Sequence, residues 1–226
     1  MIESVNVIGA RGRVGRAVSA RLAEREIAVR EHDAELVLLC VPDRAIAEVA
    51  SELAPGPWVA HVSGGSPLAS LEPHRRRFSL HPLQTFTHDR GPEQLDGAWA
   101  AVTGESPEAL TVAIELAEAL GLRPFVLADE HRALYHAGAA VASNYLVTIR
   151  RAAGRLLAAS NVPEEALEPL MRRVIENDFQ LTGPIERGDW ATVERHRVAI
   201  AAEAPELLEA YDALATLTAE TARSQA

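Results

Sequence analysis

The chain has no lysine; all 22 of its Lys/Arg positions are arginine. Schiff-base chemistry, a Walker-type lysine and a lysine general acid are therefore excluded. Any cationic anchor has to be an arginine or a protonated histidine. Cys40 is the single cysteine, so no disulfide forms within the chain. It lies in the apolar run 36–41 and reads as a buried strand residue. Aromatic residues make up only 4% of the 226 positions, which suits an Ala/Val/Leu-rich α/β protein. No apolar run is long enough to span a bilayer, and the sequence opens directly on a strand pattern rather than a signal peptide. The expectation is a soluble, cytoplasmic protein. There is no H-E-x-x-H, no paired-cysteine spacing and no G-x-S-x-G elbow, so neither a metal site nor a serine-hydrolase nucleophile is expected. The formal charge of -10 disfavours nucleic acid or an anionic membrane as a partner.

What is present is concentrated near the start. Residues Val5 to Gly15 read V-N-V-I-G-A-R-G-R-V-G: an apolar strand pattern, a glycine-punctuated turn, then a helical face of Val14, Ala17, Val18 and Leu22. Strand, glycine turn and helix in this order are how a doubly wound sheet holds a pyrophosphate. Gly9 permits the tight turn, Gly12 lets the backbone approach phosphate, and Gly15 lets the helix pack close to the strand. Arg11 and Arg13 are candidate phosphate contacts. The spacing, G-x-x-G-x-x-G, is one residue longer than the commonest dinucleotide fingerprint.

Pattern predicts strands over 4–8, 27–30, 36–41, 58–61, 78–80, 99–102 and 124–127. Helices are predicted over 14–25, 44–53, 67–71 and 107–120. This alternation argues for an α/β fold with a doubly wound, mostly parallel sheet. Residues 31–35 are too few for the usual crossover helix, so either a tight loop replaces that helix or the second strand is degraded. From Ala128 onward strand signals vanish, and helices are expected over 129–160, 164–176, 190–202 and 206–222. The expected domains are a dinucleotide-binding sheet domain over 1–127 and an all-α domain over 128–226.

Candidate ligand groups gather at predicted strand ends, where open α/β sheets bind ligands. Val41-Pro42-Asp43 closes one strand; Asp43 reads as a helix N-cap, and the backbone here could flank the cofactor's ribose or nicotinamide. Ser63 and Gly64 end the next strand, offering a hydroxyl and close approach or simply a helix-entry turn. His81, held by Pro82, could donate a proton to a carbonyl oxygen or serve as a structural histidine. The run Arg75-Arg76-Arg77 reads as a solvated face. On the first long helix His136, Ala139, Ala140 and Ser143 share one face, with Asn144 on its shoulder. This is either a ligand-facing stripe or close helix packing. Near the break at Gly183-Pro184, Thr182 and Arg187 could grip a substrate carboxylate, and Asp189 reads as the cap of the following helix.

These strings together resemble a known family. Val41-Pro42-Asp43 with Ile46, His61 to Gly64, Ser79 to Gln84, Tyr135 to Leu146, Leu181 to Pro184 and Arg187 to Asp189 are similar to Rossmann-like dehydrogenases with a helical C-terminal domain of unassigned function. Those belong to the 6-phosphogluconate dehydrogenase-like superfamily, near pyrroline-5-carboxylate reductase, ketopantoate reductase and prephenate dehydrogenase. The resemblance implies an NAD(P)-binding first domain, a homodimer through the helical domain and an active cleft between the domains. It departs from the family in the extra Arg11, the reduced second strand region, and His136 where related hydroxyacid dehydrogenases carry a lysine. The resulting expectation is an oxidoreductase using NADP or NAD, the balance tipped to NADP. It would move hydride to or from a small carboxylate-bearing carbonyl or imine compound. His81 or His136 would be the proton donor, Asn144 and Ser143 would orient the carbonyl, and Thr182 or Arg187 would hold the carboxylate. The alternative is a non-catalytic nucleotide-binding protein acting as a sensor or scaffold.

Overall fold

Seven strands form one sheet in the computed structural model, which describes residues 2–225. They are β1 (Ser4–Ile8), β2 (Ala28–Val29), β3 (Leu36–Leu39), β4 (Trp58–His61), β5 (Arg77–Pro82), β6 (Trp99–Gly104) and β7 (Arg123–Val126), in the order β2-β1-β3-β4-β5-β6-β7. All neighbours pair in parallel except β5 with β6. The helices of this region are α1 (Arg13–Glu24), α2 (Ile46–Glu52), α3 (Pro107–Ala119) and α4 (Arg132–Ala140). The fold is the Rossmann-like sheet with a helical C-terminal region that the sequence implied. The chain divides into two compact units, Met1–Val141 and Ala142–Ala226, so α4 belongs with the sheet.

Strand side chains alternate between faces, and the two faces differ. On one, Val5, Val7, Leu36, Leu38, Phe78, Leu80 and Val102 pack against Val18 and Leu22 of α1 and Leu116 of α3. On the other, Val37, Leu39 and Val59 meet Ile46 and Ala50 of α2 and Leu68 and Leu71 of a short 3-10 turn. Further along that second face the apolar cover stops. His61 of β4, Arg77 and Ser79 of β5 and Thr103 of β6 are buried polar side chains there, with His81 of β5 following on the same side. The predicted strand 78–80 is therefore too short. β5 alternates polar and apolar residues over six positions because its polar face has a partner, α4.

The second strand is degraded and the crossover is a loop. β2 has two residues, and Val29 stands level with Val5, which in turn stands level with Leu36, where β3 begins. The chain thus crosses β1 almost sideways and needs no helix to return. Asn6 Nδ2 donates to the Glu31 carbonyl at 2.8 Å, and the Glu35 amide donates to Ser4 Oγ at 3.1 Å, tying this loop to β1. β2 leaves the sheet three residues short of Ile8, roughly 10 Å below the glycine turn.

The second unit comprises α5 (Leu146–Ala159), α6 (Leu167–Glu176), α7 (Trp190–Glu203) and α8 (Leu208–Gln225). Asp189 caps α7 as expected, accepting from the Thr192 amide at 3.1 Å. Helices α7 and α8 are joined by Arg197, whose fork meets the Asp212 carboxylate at 2.8 and 3.1 Å, and by His196 with Tyr211 at 2.9 Å. Its buried residues are few: Gly154, Leu167, Val193, Ile200 and Ala204. Leu170, Ile175, Phe179, Val198 and Leu217 are all more than half exposed. Among the described residues no helix is long and apolar enough to cross a membrane.

Candidate functional site

The carboxyl ends of β1, β3, β4 and β5 share one edge of the sheet. At β1 the chain turns at Gly9, which adopts φ +92° and whose Cα sits where a Cβ would lie 2.4 Å from the Cys40 carbonyl oxygen. Gly15 is equally constrained, since a Cβ there would lie 2.3 Å from the Gly9 oxygen. Only glycine fits either place. Helix α1 starts with no side-chain cap and no acidic residue in its first turn, so the Arg13, Val14 and Gly15 amides and the positive dipole end are left for an anion. The guanidiniums of Arg11 and Arg13 are exposed and make no hydrogen bond or ion pair among the described residues. Gly12 departs from expectation. Its amide donates to the Gly9 carbonyl at 2.9 Å and is occupied inside the turn, so it cannot face a phosphate. The residues present fit the anionic centre of a dinucleotide through the first turn of α1 instead.

At β3, Asp43 is the first residue of a 3-10 turn (Asp43–Ala45) and caps nothing by side chain; Pro42 occupies the preceding position. The N-cap expectation fails because that turn begins one residue earlier than the predicted helix. Asp43 is exposed, as is Pro42, with Val41 half-buried beside them.

At β4, Ser63 organises the following loop. Its Oγ accepts from the Gly65 and Ser66 amides at 3.2 and 2.9 Å, while the Ser63 amide donates to His61 Nδ1 at 3.2 Å. This winds the loop tightly enough to press Gly64 and Gly65 onto two imidazoles. A Cβ on Gly64 would lie 2.8 Å from both His81 and His136, and one on Gly65 would lie 3.1 Å from His136 Nδ1.

The two histidines come from β5 and α4. Their rings meet edge to face at 6.0 Å between centroids. Tyr135, next to His136 on α4, places its hydroxyl 2.7 Å from His81 Nδ1 and is itself backed by Phe125 of β7 at 5.9 Å. What fixes α4 here is Arg132, its first residue, only 1% exposed. The Arg132 guanidinium donates to the Ser63 carbonyl at 3.1 Å, to Thr103 Oγ1 at 2.8 Å, to Ser79 Oγ and to Asp129 Oδ1 at 3.1 Å. One buried cation thus ties together β4, β5, β6 and the helix that carries Tyr135 and His136.

These surroundings set the protonation states. Burial, the neighbouring His136 and the Arg132 charge push His81 down to about 4, against the weaker pull of Asp43. Burial and Arg132 push His61 down to about 4 as well. Burial raises the Tyr135 phenol to about 12. Both histidines are neutral at pH 7, and the tyrosine keeps its proton.

The structure therefore brings together His81 and His136 with Gly64, and places the glycine turn and Val41–Asp43 on the same sheet edge. Ser143, Asn144, Thr182 and Arg187 lie in the second unit. A π-helical turn, Val141–Tyr145, interrupts the helix between His136 and Ser143, so the α-helical spacing that put those residues on one face does not hold. Tyr135 and Arg132 are the site residues that sequence reasoning missed. Arg132 follows Asp129-Glu130-His131 and looks like part of a charged surface. Ser79 and Thr103, the hydroxyls that receive its guanidinium, stand on the face opposite Phe78, Leu80 and Val102, which alternation reads as solvated. The arginine triplet is also only partly solvated: Arg77 is buried against Glu105 at 2.9 Å, and Arg76 stacks over Trp58. Among the described residues no group of three or more His, Cys, Asp or Glu stands close enough to hold a metal ion.

A family model described as a domain of unknown function, DUF2520, matches residues 98–218. The chain belongs to the DUF2520 family. None of the curated proteins matches it in sequence. Several solved structures share its fold. BF3122 from Bacteroides fragilis, a provisionally assigned NADP oxidoreductase, superposes with a TM-score of 0.81 at 20% identity, over 97% of this chain and 98% of that one. Protein TM1727 from Thermotoga maritima gives 0.80 at 26% identity, over 98% and 99%. A 1-pyrroline-5-carboxylate reductase from Streptococcus pyogenes gives 0.62 at 16% identity, over 98% of each. The DUF2520 match and these folds agree with the resemblance carried by the sequence motifs: a Rossmann-like unit joined to a helical domain of unassigned function.

Proposed function

We propose that this DUF2520 protein is an NAD(P)H-dependent reductase of a small, carboxylate-bearing carbonyl or imine compound. The observation that carries the reading is the sharing of one sheet edge by an uncapped, acid-free helix start and a pair of imidazoles. β1 and β5 are three strand spacings apart, roughly 14 Å, a span that the nicotinamide arm of a dinucleotide bridges. Two of the similar folds bear names of the same class, an NADP oxidoreductase and a pyrroline-5-carboxylate reductase. The bound cofactor supplies hydride. The chain's part is to hold the pyrophosphate at Arg13 and Val14, to flank the nicotinamide end with Val41, Pro42 and Gly64, and to present an imidazole to the substrate.

NADP is the favoured form. The usual ribose-selecting residue sits at the end of the second strand. Here β2 stops far below the glycine turn, and Arg11 and Arg13 stand unpaired beside it. Arg187, exposed and without a hydrogen bond or ion pair to its guanidinium among the described residues, is the proposed carboxylate grip. The second unit has too small a core to stand alone, and cover present whenever the chain is made can come from a second copy. A homodimer through α6 and its neighbours is therefore part of the proposal.

Titration of NADPH and NADH, read by nicotinamide fluorescence, tests the cofactor. The expected result is micromolar NADPH binding, weaker for NADH, and weakened further in Arg11→Ala/Arg13→Ala. No binding at millimolar dinucleotide would favour the second reading, a non-catalytic sensor or scaffold, which the truncated second strand motivates. Arg187→Ala should raise KM for a 2-oxo acid with kcat little changed.

A further inference from the structure

The Tyr135–His81 pair is a feature that the reductase reading does not itself require. We infer that Tyr135 is a positioning residue that holds His81 as an Nε2–H donor on the Gly64 side, and that the site accordingly takes a carbonyl substrate, reduced to an alcohol, rather than an imine. The inference rests on the reductase reading for its chemistry and on the geometry of one unit for its tautomer.

The direction of the hydrogen bond follows from what each group can reach. The phenolic oxygen of Tyr135 lies 2.7 Å from His81 Nδ1, and no other acceptor among the described residues takes its proton. A half-buried phenol with one nitrogen in reach donates to it. Nδ1 is then the acceptor, and in a neutral imidazole the remaining proton sits on Nε2. Nε2 lies on the ring edge that meets the loop: a Cβ on Gly64 would stand 2.8 Å from both it and Cε1. It makes no hydrogen bond to another of the described residues. The tautomer therefore leaves a donor at the carboxyl edge of β4 and β5, beside the place proposed for the nicotinamide.

The charges around it choose between substrates. Facing His81 are Tyr135, His136 and Arg132 from α4 and Asp43 from the turn after β3. Arg132 is buried with its positive charge beneath the pair. Asp129 is engaged by Arg132 and by the Leu68 amide, and exposed Asp43 acts on His81 more weakly than the Arg132 charge does. An imine accepts hydride best as the protonated iminium, a cation that surroundings in which Arg132 outweighs Asp43 disfavour. A ketone or aldehyde instead develops negative charge on oxygen, which a neutral N–H donor over a buried cation stabilises. In the balanced step, a bound reduced nicotinamide would supply the hydride for the new C–H bond at the carbonyl carbon. The C=O π pair moves to oxygen, and the Nε2 proton forms the O–H bond. Nδ1 takes the Tyr135 proton as Nε2 gives up its own, and the resulting phenolate recovers a proton from solvent. The alkoxide is a stronger base than phenolate, so this transfer runs downhill.

Two measurements test the inference. The first needs neither substrate nor cofactor: two-bond ¹H–¹⁵N correlations on the uniformly ¹⁵N-labelled protein read the His81 tautomer. The Nε2–H form is expected in the wild type, with a shift toward a tautomer mixture in Tyr135→Phe. Nδ1–H in the wild type overturns the assignment. In the second, 2-oxo acids (pyruvate, phenylpyruvate) and a cyclic imine (1-pyrroline-2-carboxylate) are compared at saturating NADPH. Turnover of an oxo acid is expected, with kcat lowered about 10²-fold in Tyr135→Phe at little-changed KM. Turnover of the imine in preference to the oxo acids overturns the substrate class. Failure of NADPH to bind would defeat the reductase reading, while the tautomer result would still decide the role of Tyr135.

Discussion

The two units bury their apolar residues in different measure. The sheet unit has an interior on both faces, with strands such as β3 buried along their whole length. The helical unit buries Leu167, Val193, Ile200 and Ala204 and leaves Leu170 and Phe179 at 62% and 67% exposure. Amphipathic helices are stable only where the apolar stripe is covered. The first unit covers its own apolar residues, and the second leaves many of its own exposed. The sheet unit should therefore yield to changes at its interior, and the helical unit to changes on its surface.

The largest effect is expected at Arg132. Arg132→Met removes the common donor to Ser63, Ser79, Thr103 and Asp129, and should cost about 3–5 kcal/mol in urea unfolding. It should also loosen α4, seen as faster amide exchange at Tyr135 and His136. Next come Leu170→Glu and Ile175→Glu. On a monomer's surface each would change stability by less than about 0.5 kcal/mol. As parts of a buried dimer face, each should cost about 1.5–3 kcal/mol and shift sedimentation from dimer to monomer. Neutral behaviour of both would erase the contrast between the units. Gly15→Ala should then cost about 1–3 kcal/mol by driving α1 off the Gly9 carbonyl, and should lower NADPH affinity because the helix start moves with it.

The last test of the contrast is a pH slope. His61 and His81 are held near 4 in the folded chain, whereas an unfolded histidine titrates near 6.5. Between those values the unfolded chain binds more protons, so stability is complete above about pH 6.5 and falls as pH drops toward 4. Each histidine contributes up to about 1.4 kcal/mol per pH unit within that window. Denaturant melts at pH 7 and pH 5 should show the loss, and His81→Asn should remove part of it.

The contrast also explains what could be read from the sequence. β1 and β4 were legible to the residue because their runs are apolar and bounded by turns. Gly9 and Gly15 were legible because backbone proximity forces their identity. The shortened second strand was legible as a missing crossover, though not the sideways passage that makes it possible. The polar half of the sheet was cut short, because alternation with Arg77, Ser79 and His81 looks like a half-solvated edge until α4 covers it. The inward Gly12 amide and the π turn at Val141–Tyr145 depend on backbone torsions that no residue pattern announces. Arg132 was hidden because burial of a charge is decided by partners far off in the chain, 53 residues away at Ser79 and 69 at Ser63.

The place of Cys40 has a practical outcome. Its amide is bonded to Ile8 at 2.8 Å, its carbonyl backs the Gly9 turn, and burial lifts its thiol to about 12, far from the thiolate that electrophiles capture. A cysteine introduced on the outer face of α6 would then be the only fast-reacting sulfur in the molecule. Maleimide dyes, spin labels or a short bifunctional linker there could test the proposed second copy without first removing a native residue.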